Sequence, residues 1–493
     1  MSGAILRDYL WAAVHRHGSR RALVADGRDW TFEELGEQAR AVAGHLRDLG
    51  VLPGDPVAII LPNNAQYVIA DLAIALIGAA KVPLNLMLST EEQTYIVADS
   101  GAKVCFAGSE QASSVPVGTQ VVAWSDAVSH AVLVDEPAVS EDDVALIMYT
   151  GGTTGRPKGV QHTQAGIASN LLSHMLEMEI VSDDVLLLTS PLPHSAGFLL
   201  QAALTKGATT YLEEGFDVEL VLDRIARDGA SYLFLVPTMI YRLLDAAAAR
   251  SELDTSALRT ILYGAAPITV DRLRQGLRMF GSVFVQLYAQ SEAPNFLTRL
   301  RRDDHRIDGD TTRLSSCGQS VVMAQVVVRH EDGTPCAPGE VGEVTALSPY
   351  TMIGYLNREP ETADALRDGW LFTGDLGYLD DDGYLYLVDR KKDMIITGGL
   401  NVYSTEVEQA LVQIDGIAEV AVTGVPHPDW GEAVVAFVVP SRPELTADEI
   451  RAAARDMLTT YKRPKDVVLV DSLPVTAVGK IDKKELRVQW QTN

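Results

Sequence analysis

"YTGGTTGRPKGV", residues 149–160, follows the apolar run "VALIM" at 144–148. A buried strand would thus run straight into a loop of glycines, threonines and a lysine. Gly lacks the Cβ that keeps backbone amides away from an anion, and Thr hydroxyls add donors, so the loop suits phosphate. It is not the P-loop pattern G-x-x-x-x-G-K-[ST]: Pro157 separates Gly155-Arg156 from Lys158, and Gly159 stands where that pattern needs a hydroxyl. Alone, the stretch reads equally well as a solvated glycine turn.

The flanks decide the fold class. "VAIILP" (57–62), "KVCFA" (103–107), "DVALIMYT" (143–150), "DVLLLTSPL" (184–192), "ATTYLEE" (208–214), "SYLFLVP" (231–237), "RTILYGAA" (259–266) and "VFVQLYA" (283–289) are continuous apolar runs. They alternate with helical stretches, the signature of largely parallel sheets covered on both faces. Thr31 and Glu34 form a capping-box pair, followed at helical spacing by Leu35, Ala39, Val42, Leu46 and Leu49 until Gly50. "VIADLAIALIGAA" (68–80) predicts a helix through Ala80; it contains Asp71 and is too short to cross a bilayer. After about residue 315, "HEDGTPCAPGEVGEV" and "DDDGYLYL" bring the turn density of antiparallel sheet. "DRKKD" (389–393) is a charged break, and a small α+β unit with a helix opened by Thr446 and Glu449 follows. The expected architecture is α/β plus α+β. A large domain, 1–389, has helix-covered, largely parallel sheets and a β-rich part, and 390–493 form a small second domain.

With 493 residues the chain exceeds one core, and 47% hydrophobic residues can fill several. Its 41 basic and 66 acidic residues give a net charge of −25, which argues against nucleic acid or an anionic membrane as partner. The N-terminus lacks a signal-peptide pattern, and the three cysteines show no metal-type spacing, so a cytoplasmic protein is expected.

Six further segments stand out: "PLPHSAG" (191–197), "YGAAP" (263–267), "YAQSEA" (288–293), "GWLFTGDLG" (369–377), "VDRKKDMIITGG" (388–399) and "PVTAVGKIDKKEL" (474–486). With the opening loop and "MIGYLNREPETADAL" (352–366), in this order, the chain resembles the acyl-adenylate-forming superfamily of acyl-CoA synthetases, adenylation domains and luciferases over essentially its whole length. The resemblance implies ATP, Mg²⁺ and CoA as cofactors and an acid as small-molecule substrate. Thr150, Gly151, Gly152, Thr153, Thr154, Gly155 and Lys158 would hold the phosphates, with Thr150 and Glu292 at the metal. Tyr288 would stack on adenine, Ser291 donate to phosphate and Glu292 bind Mg²⁺. Gly264, Ala265 and Ala266 would line adenine and the acyl chain; Gln286, Ala289, Lys392 and Gly399 complete the nucleotide set.

Asp375 would accept from both ribose hydroxyls, with Arg390 on the other side, where a turn aspartate and a surface ion pair are the bland alternatives. Lys480 would bridge two anions as a carboxylate attacks the α-phosphate, offsetting their repulsion. His194 would sit beside the carboxylate pocket as a gate or packing residue, with Phe198, Leu199, Tyr232, Val236, Pro294 and Phe296 lining an apolar pocket. Asp389 would be the hinge of a mobile C-terminal domain. Trp430 and "YKRPK" (461–465) are weaker, a CoA contact or a basic surface turn. Ala289 replaces the family's usual Gly, Ser291 its Thr and Ser404 a frequent Pro.

The implied reaction is acid activation to acyl-AMP with pyrophosphate release, then transfer to CoA. A separate carrier protein or an amine as acceptor, or an oxyacid such as nitrite as substrate, stays open, as does a homodimer. Only 13 residues follow Lys480, so no carrier domain is expected, and the "QTN" end lacks a peroxisomal signal. A sensor that has lost catalysis and an ordinary P-loop NTPase are the rivals of other classes, the first opposed by Lys480, Glu292, Asp375 and Arg390, the second by the absent G-K-[ST].

Overall fold

Parallel strands with helical crossovers dominate the first two-thirds of the chain. The computed structural model describes residues 5–133, 135–150, 156–308, 311–475 and 481–492. It divides into two compact units. The first holds the described residues up to 150, then 156–326 and 346–371; the second holds 327–345 and 372–492.

The first unit contains a nine-stranded sheet in the order Gln319–Ser320, Ala293–Leu300, Phe284–Gln290, Thr260–Tyr263, Tyr232–Leu235, Val185–Leu188, Thr209–Leu212, Arg21–Ala25 and Arg28–Thr31. The strands from Phe284–Gln290 to Arg21–Ala25 run parallel, and the edges close antiparallel. A seven-stranded sheet orders Gly354–Tyr355, Lys158–Thr163, Val144–Thr150, Ala80–Pro83, Pro56–Ile60, Val104–Ala107 and Gln120–Val121. Its last five strands are parallel. The apolar runs are buried as expected, Val57 through Ile60 being wholly inaccessible. In such sheets ligands gather beyond the carboxyl ends of the strands, which is where Thr150 and the segments at 263–267 and 288–293 fall.

Both capping boxes form: Glu34 N–H donates to Thr31 Oγ1 at 3.1 Å and opens Phe32–Asp48, while Thr446 and Glu449 open Ala447–Met457. The helix expected through Ala80 is shorter. It spans Ala65–Ile77 and stops at Gly78, whose φ of +71° takes the left-handed cap that only glycine adopts cheaply. Ala80–Pro83 is then a strand. Asp71 is satisfied inside this helix by Lys81 Nζ at 2.7 Å and by Gln201 Nε2 at 2.9 Å.

In the second unit residues 375–379 of the strand Trp370–Leu379 pair antiparallel with Leu385–Arg390. A second sheet orders Leu400–Val402, Ile395–Thr397, Gly431–Pro440 and Ile417–His427, with Asp466–Leu469 beside Gly431–Pro440. Helices Ser404–Leu411 and Ala447–Met457 cover one face through Val407, Leu411, Ile450 and Ala454. Helix Lys483–Thr492 covers the other through Leu486. Asp389 and Arg390, the expected domain boundary, both lie in the second unit.

Candidate functional site

Strand Val144–Thr150 turns back as Lys158–Thr163 with Thr150 opposite Lys158. Gly151, Gly152, Thr153, Thr154 and Gly155, between them, lie outside the described residues. A Cβ on Gly159 would come within 2.9 Å of Ile147 and 3.0 Å of the Tyr149 ring, so this strand can lie flat on its neighbour only as glycine. Lys158 Nζ sits 4.2 Å from the centroid of the Tyr355 ring. The Tyr355 hydroxyl donates to Glu292 Oε1 at 2.7 Å. One ring therefore carries a cation on its face and a carboxylate on its hydroxyl. Burial, and then the Glu292 charge, push the Tyr355 pKa up, so the phenol stays a donor. Glu292 Oε2 has no hydrogen bond among the described residues, and such a hard anionic oxygen fits Mg²⁺.

Glu292 stands in the turn from Phe284–Gln290 into Ala293–Leu300, and backbone contacts hold that turn. The Ser291 carbonyl accepts from His162 Nε2 at 2.9 Å, and the Glu292 carbonyl accepts from Met352 N–H at 2.8 Å. His162 is buried, and burial lowers its pKa to about 4, so it works as a neutral donor. Gln286 and Tyr288 lie on one face of the strand by its period of two, both buried. Next to them, a Cβ on Gly264 would meet the Leu287 carbonyl at 2.6 Å. Ala265 has a φ of +66°, unusual for a residue with a Cβ and a mark of a functionally constrained turn. Ala265 and Ala266 are exposed, open to a ligand, whereas Gly264 is buried; Ala289 and Ser291 are half-buried.

The residues expected to line the acid pocket take different positions. Leu199, Tyr232 and Phe296 are wholly buried. Tyr232 begins its strand, at the edge opposite the carboxyl ends, and Phe296 packs edge-on against His174 at 5.1 Å. They are core residues. Phe198, at 9% exposure, stacks on the His174 ring at 5.8 Å, and buried Pro294 gives its carbonyl to Asn170 Nδ2 at 2.8 Å. Of the six, Val236 keeps a placement suited to a ligand: half-buried, just past the carboxyl end of Tyr232–Leu235.

His194 lies in a turn, Leu192–Ala196, broken by its own φ of −117° and ψ of −149°. Asn85 Nδ2 is 3.1 Å from His194 Nε2, while Asn85 Oδ1 accepts Met87 N–H at 2.9 Å. The amide therefore donates to the ring, which leaves the proton on Nδ1. Asn63 fixes the same turn, accepting Leu192 N–H at 3.0 Å and donating to Ser190 and Glu213 carbonyls at 2.9 and 3.1 Å.

In the second unit, buried Asp375 faces Arg390 across the strand pair, Oδ1 to Nε 2.9 Å. Arg390 therefore stands beside Asp375. Gly374 N–H and Lys391 Nζ both donate to Glu343, at 3.1 and 3.0 Å, holding this corner. Lys392 follows in the turn, and Gly399 sits with Gly398 at the tip of the hairpin Ile395–Val402, both at positive φ as a two-residue turn demands.

Asp389 is the centre of a network. Its Oδ1 accepts Arg390 N–H at 2.7 Å and Ser404 Oγ at 3.2 Å, and its Oδ2 accepts Ser404 N–H. Lys483 Nζ donates to Ser404 Oγ at 2.7 Å and pairs with Glu408 at 2.8 Å. Burial raises the pKa of Asp389 and of Glu408, opposed by Lys483. Trp430 stacks on His427 at 4.1 Å with Lys465 over its ring at 4.7 Å, and Lys462 pairs with Glu406 at 2.5 Å. Lys480 lies outside the described residues.

Tyr355, His162, Asn85, Asn63 and Lys483 were not singled out by the sequence. Tyr355 and Lys483 lie inside quoted segments, but only the fold shows what their side chains touch.

A family described as AMP-binding enzyme matches residues 10–356, and one described as AMP-binding enzyme C-terminal domain matches 406–480. Feruloyl-CoA synthase of Amycolatopsis sp is 38% identical over 485 residues, covering 97% of this chain and 95% of that protein. The o-succinylbenzoate CoA synthetase of Bacillus subtilis, solved with its acyl-adenylate intermediate, superposes with a TM-score of 0.89 at 31% identity over 97% of each chain. The same enzyme has been solved with ATP and a magnesium ion, at a TM-score of 0.87 and 31% identity over 97% of this chain and 99% of that one. An amide bond synthetase of Marinactinospora thermotolerans gives a TM-score of 0.87 at 30% identity, over 98% of this chain and 99% of that one.

Proposed function

The chain belongs to the AMP-binding enzyme family, and from that premise we propose how its residues divide the reaction. It is an AMP-forming acid–CoA ligase. A carboxylate oxygen attacks the α-phosphorus of ATP, giving acyl-AMP as pyrophosphate leaves. The CoA thiol, losing its proton, then attacks the acyl carbonyl and AMP departs.

The observation that carries the residue assignment is the Lys158–Tyr355–Glu292 array. It places a phosphate-seeking cation and a metal-seeking carboxylate around one ring, beyond the carboxyl ends of parallel strands. Lys158, with Thr153, Thr154 and the glycine amides, holds the β- and γ-phosphates. Glu292 and Thr150 would hold Mg²⁺, which would supply neutralising charge to the phosphates. Tyr355 positions Glu292, and neutral His162 holds the turn that presents it. Tyr288 stacks on adenine, Ser291 donates to phosphate, and Asp375 accepts from the ribose hydroxyls beside Arg390. Lys480 bridges carboxylate and α-phosphate at the transition state, and the small domain turns about Asp389 between the two half-reactions. His194, its Nε2 occupied by Asn85, shapes the acid side as a packing group. A reducing compartment holding ATP and CoA, the cytoplasm, suits three cysteines outside any disulfide.

The amide bond synthetase likeness favours one second reading, an amine in place of CoA as acceptor. Pyrophosphate release across a panel of acids, with CoA, amines or a carrier protein as acceptor, tests both. Acid- and Mg²⁺-dependent release followed by CoA thioester is expected. Acid-independent phosphate release would contradict the proposal, and amide formation without thioester would move the acceptor to an amine.

A further inference from the structure

The turn-rich stretch "HEDGTPCAPGE" (330–340) carries chemistry that acid activation does not use. Among the described residues it brings together the one group of three potential metal ligands: one donor atom each of His330, Cys336 and Glu340, all within 4.8 Å of one another. We propose that these three side chains form a binding site for a borderline divalent transition metal, with Zn²⁺ the ion that the imidazole–thiolate–carboxylate set fits best.

Two observations support it. First, the spacing is that of a coordination edge. Zn–N and Zn–O bonds of ~2.0–2.1 Å at a tetrahedral angle put the two ligand atoms about 3.3–3.4 Å apart. His330 Nε2 and Glu340 Oε2 are 3.4 Å apart, long for a hydrogen bond yet suited to flank one ion. Second, the backbone fixes the ligands in advance. His330 N–H donates to the Thr334 carbonyl at 2.9 Å, Gly333 N–H to the His330 carbonyl at 3.0 Å, and Cys336 N–H to the Val328 carbonyl at 2.9 Å. Ala337 N–H donates to Glu340 Oε2 at 2.9 Å, orienting the carboxylate while leaving Oε1 and a further lone pair on Oε2. A Cβ on Gly342 would lie 2.6 Å from Cys336 Sγ, so glycine there makes room for the sulfur.

With three protein ligands, water completes the tetrahedron. Binding replaces the Cys336 S–H proton by a sulfur–metal bond, the proton passing to buffer, so affinity rises with pH. The metal would clamp the turn at 330–334 to the segment 336–340, whose Gly339 N–H reaches the Leu379 carbonyl at 2.8 Å. None of these residues belongs to the reaction described above, and this inference stands independently of it.

The test is a Co²⁺ titration of the full-length protein in excess Mg²⁺, with Zn²⁺ as competitor. One equivalent is expected to bind with a near-ultraviolet thiolate-to-cobalt band, displaced by Zn²⁺. Cys105 and Cys317 are buried, so the band reports Cys336. Cys336→Ser should abolish it, while His330→Ala and Glu340→Gln each weaken affinity by more than about tenfold, because losing a residue that binds the ion directly costs at least as much as losing one that only orients such a residue. Absence of a sulfur band, its survival in Cys336→Ser, or unchanged affinity in both His330→Ala and Glu340→Gln would overturn the proposal.

Discussion

In the first unit His162, His174 and His305 are buried and neutral, burial holding each pKa at about 4. Each ring has defined bonds: His162 to the Ser291 carbonyl, His174 to the Asn170 carbonyl at 2.7 Å, His305 to the Arg301 carbonyl at 2.8 Å. In the second unit Asp389, Glu408 and Lys483 instead gather charge around Ser404. A neutral buried donor costs little once bonded. A desolvated ion pair holds its place only while every member stays in geometry. The contrast separates a platform, whose polar groups fix Glu292 and its turn without charge, from a segment whose order depends on one carboxylate at the proposed hinge.

Glu292→Gln should break the platform's chemistry most severely. Pyrophosphate release should fall by about 10²–10³, the usual loss when one group stabilising transition-state charge is removed. Thiolysis of supplied acyl-AMP should change far less, which half-reaction assays would read.

The pH dependence of stability sharpens the contrast, because the two units should respond with opposite sign. The histidines have folded pKa values below their ordinary 6.5, so their contribution is complete above about pH 6.5 and is lost as pH falls toward 4. Each proton contributes up to about 1.4 kcal/mol per pH unit in that window. Asp389 and Glu408 have raised values, so their contribution is present below the ordinary carboxylate range and is lost as pH rises from there through the raised folded values. Hydrogen exchange resolved by segment from pH 4 to 7 should show the first unit loosening on acidification and the segments around 389 and 404–411 tightening.

Ser404→Ala removes a hydroxyl bonded to both Asp389 and Lys483 while keeping the backbone N–H bond. A cost of about 1–3 kcal/mol is expected, read as faster exchange in the helix Ser404–Leu411. Smallest is Tyr355→Phe, which deletes one hydrogen bond to Glu292. At about 1 kcal/mol the apparent KM for Mg²⁺ should rise roughly fivefold with thiolysis unchanged.

Much of the architecture was legible because parallel sheets are spelled in continuous apolar runs, and both capping boxes because their bonds join residues three apart. The helix overshoot past Ile77 came from reading "GAA" as helical, although Gly78 is a left-handed cap. Candidate site residues such as Glu292, in a turn, and Asp375, in a strand, could be named from local motifs. Tyr232 and Leu199 were not, because an apolar side chain looks the same in a pocket wall and in a core. The Tyr355–Glu292 bond joins residues 63 apart and the Asp389–Ser404–Lys483 chain spans three elements. Such pairings exist only after folding.

The most direct test is Lys480→Ala, assayed for each half-reaction separately. Acid-dependent pyrophosphate release should fall at least a hundredfold while supplied acyl-AMP and CoA still give thioester at near the unmodified rate. Equal loss of both halves, or retention of pyrophosphate release, would contradict the assignment of this side chain to the meeting of two anions.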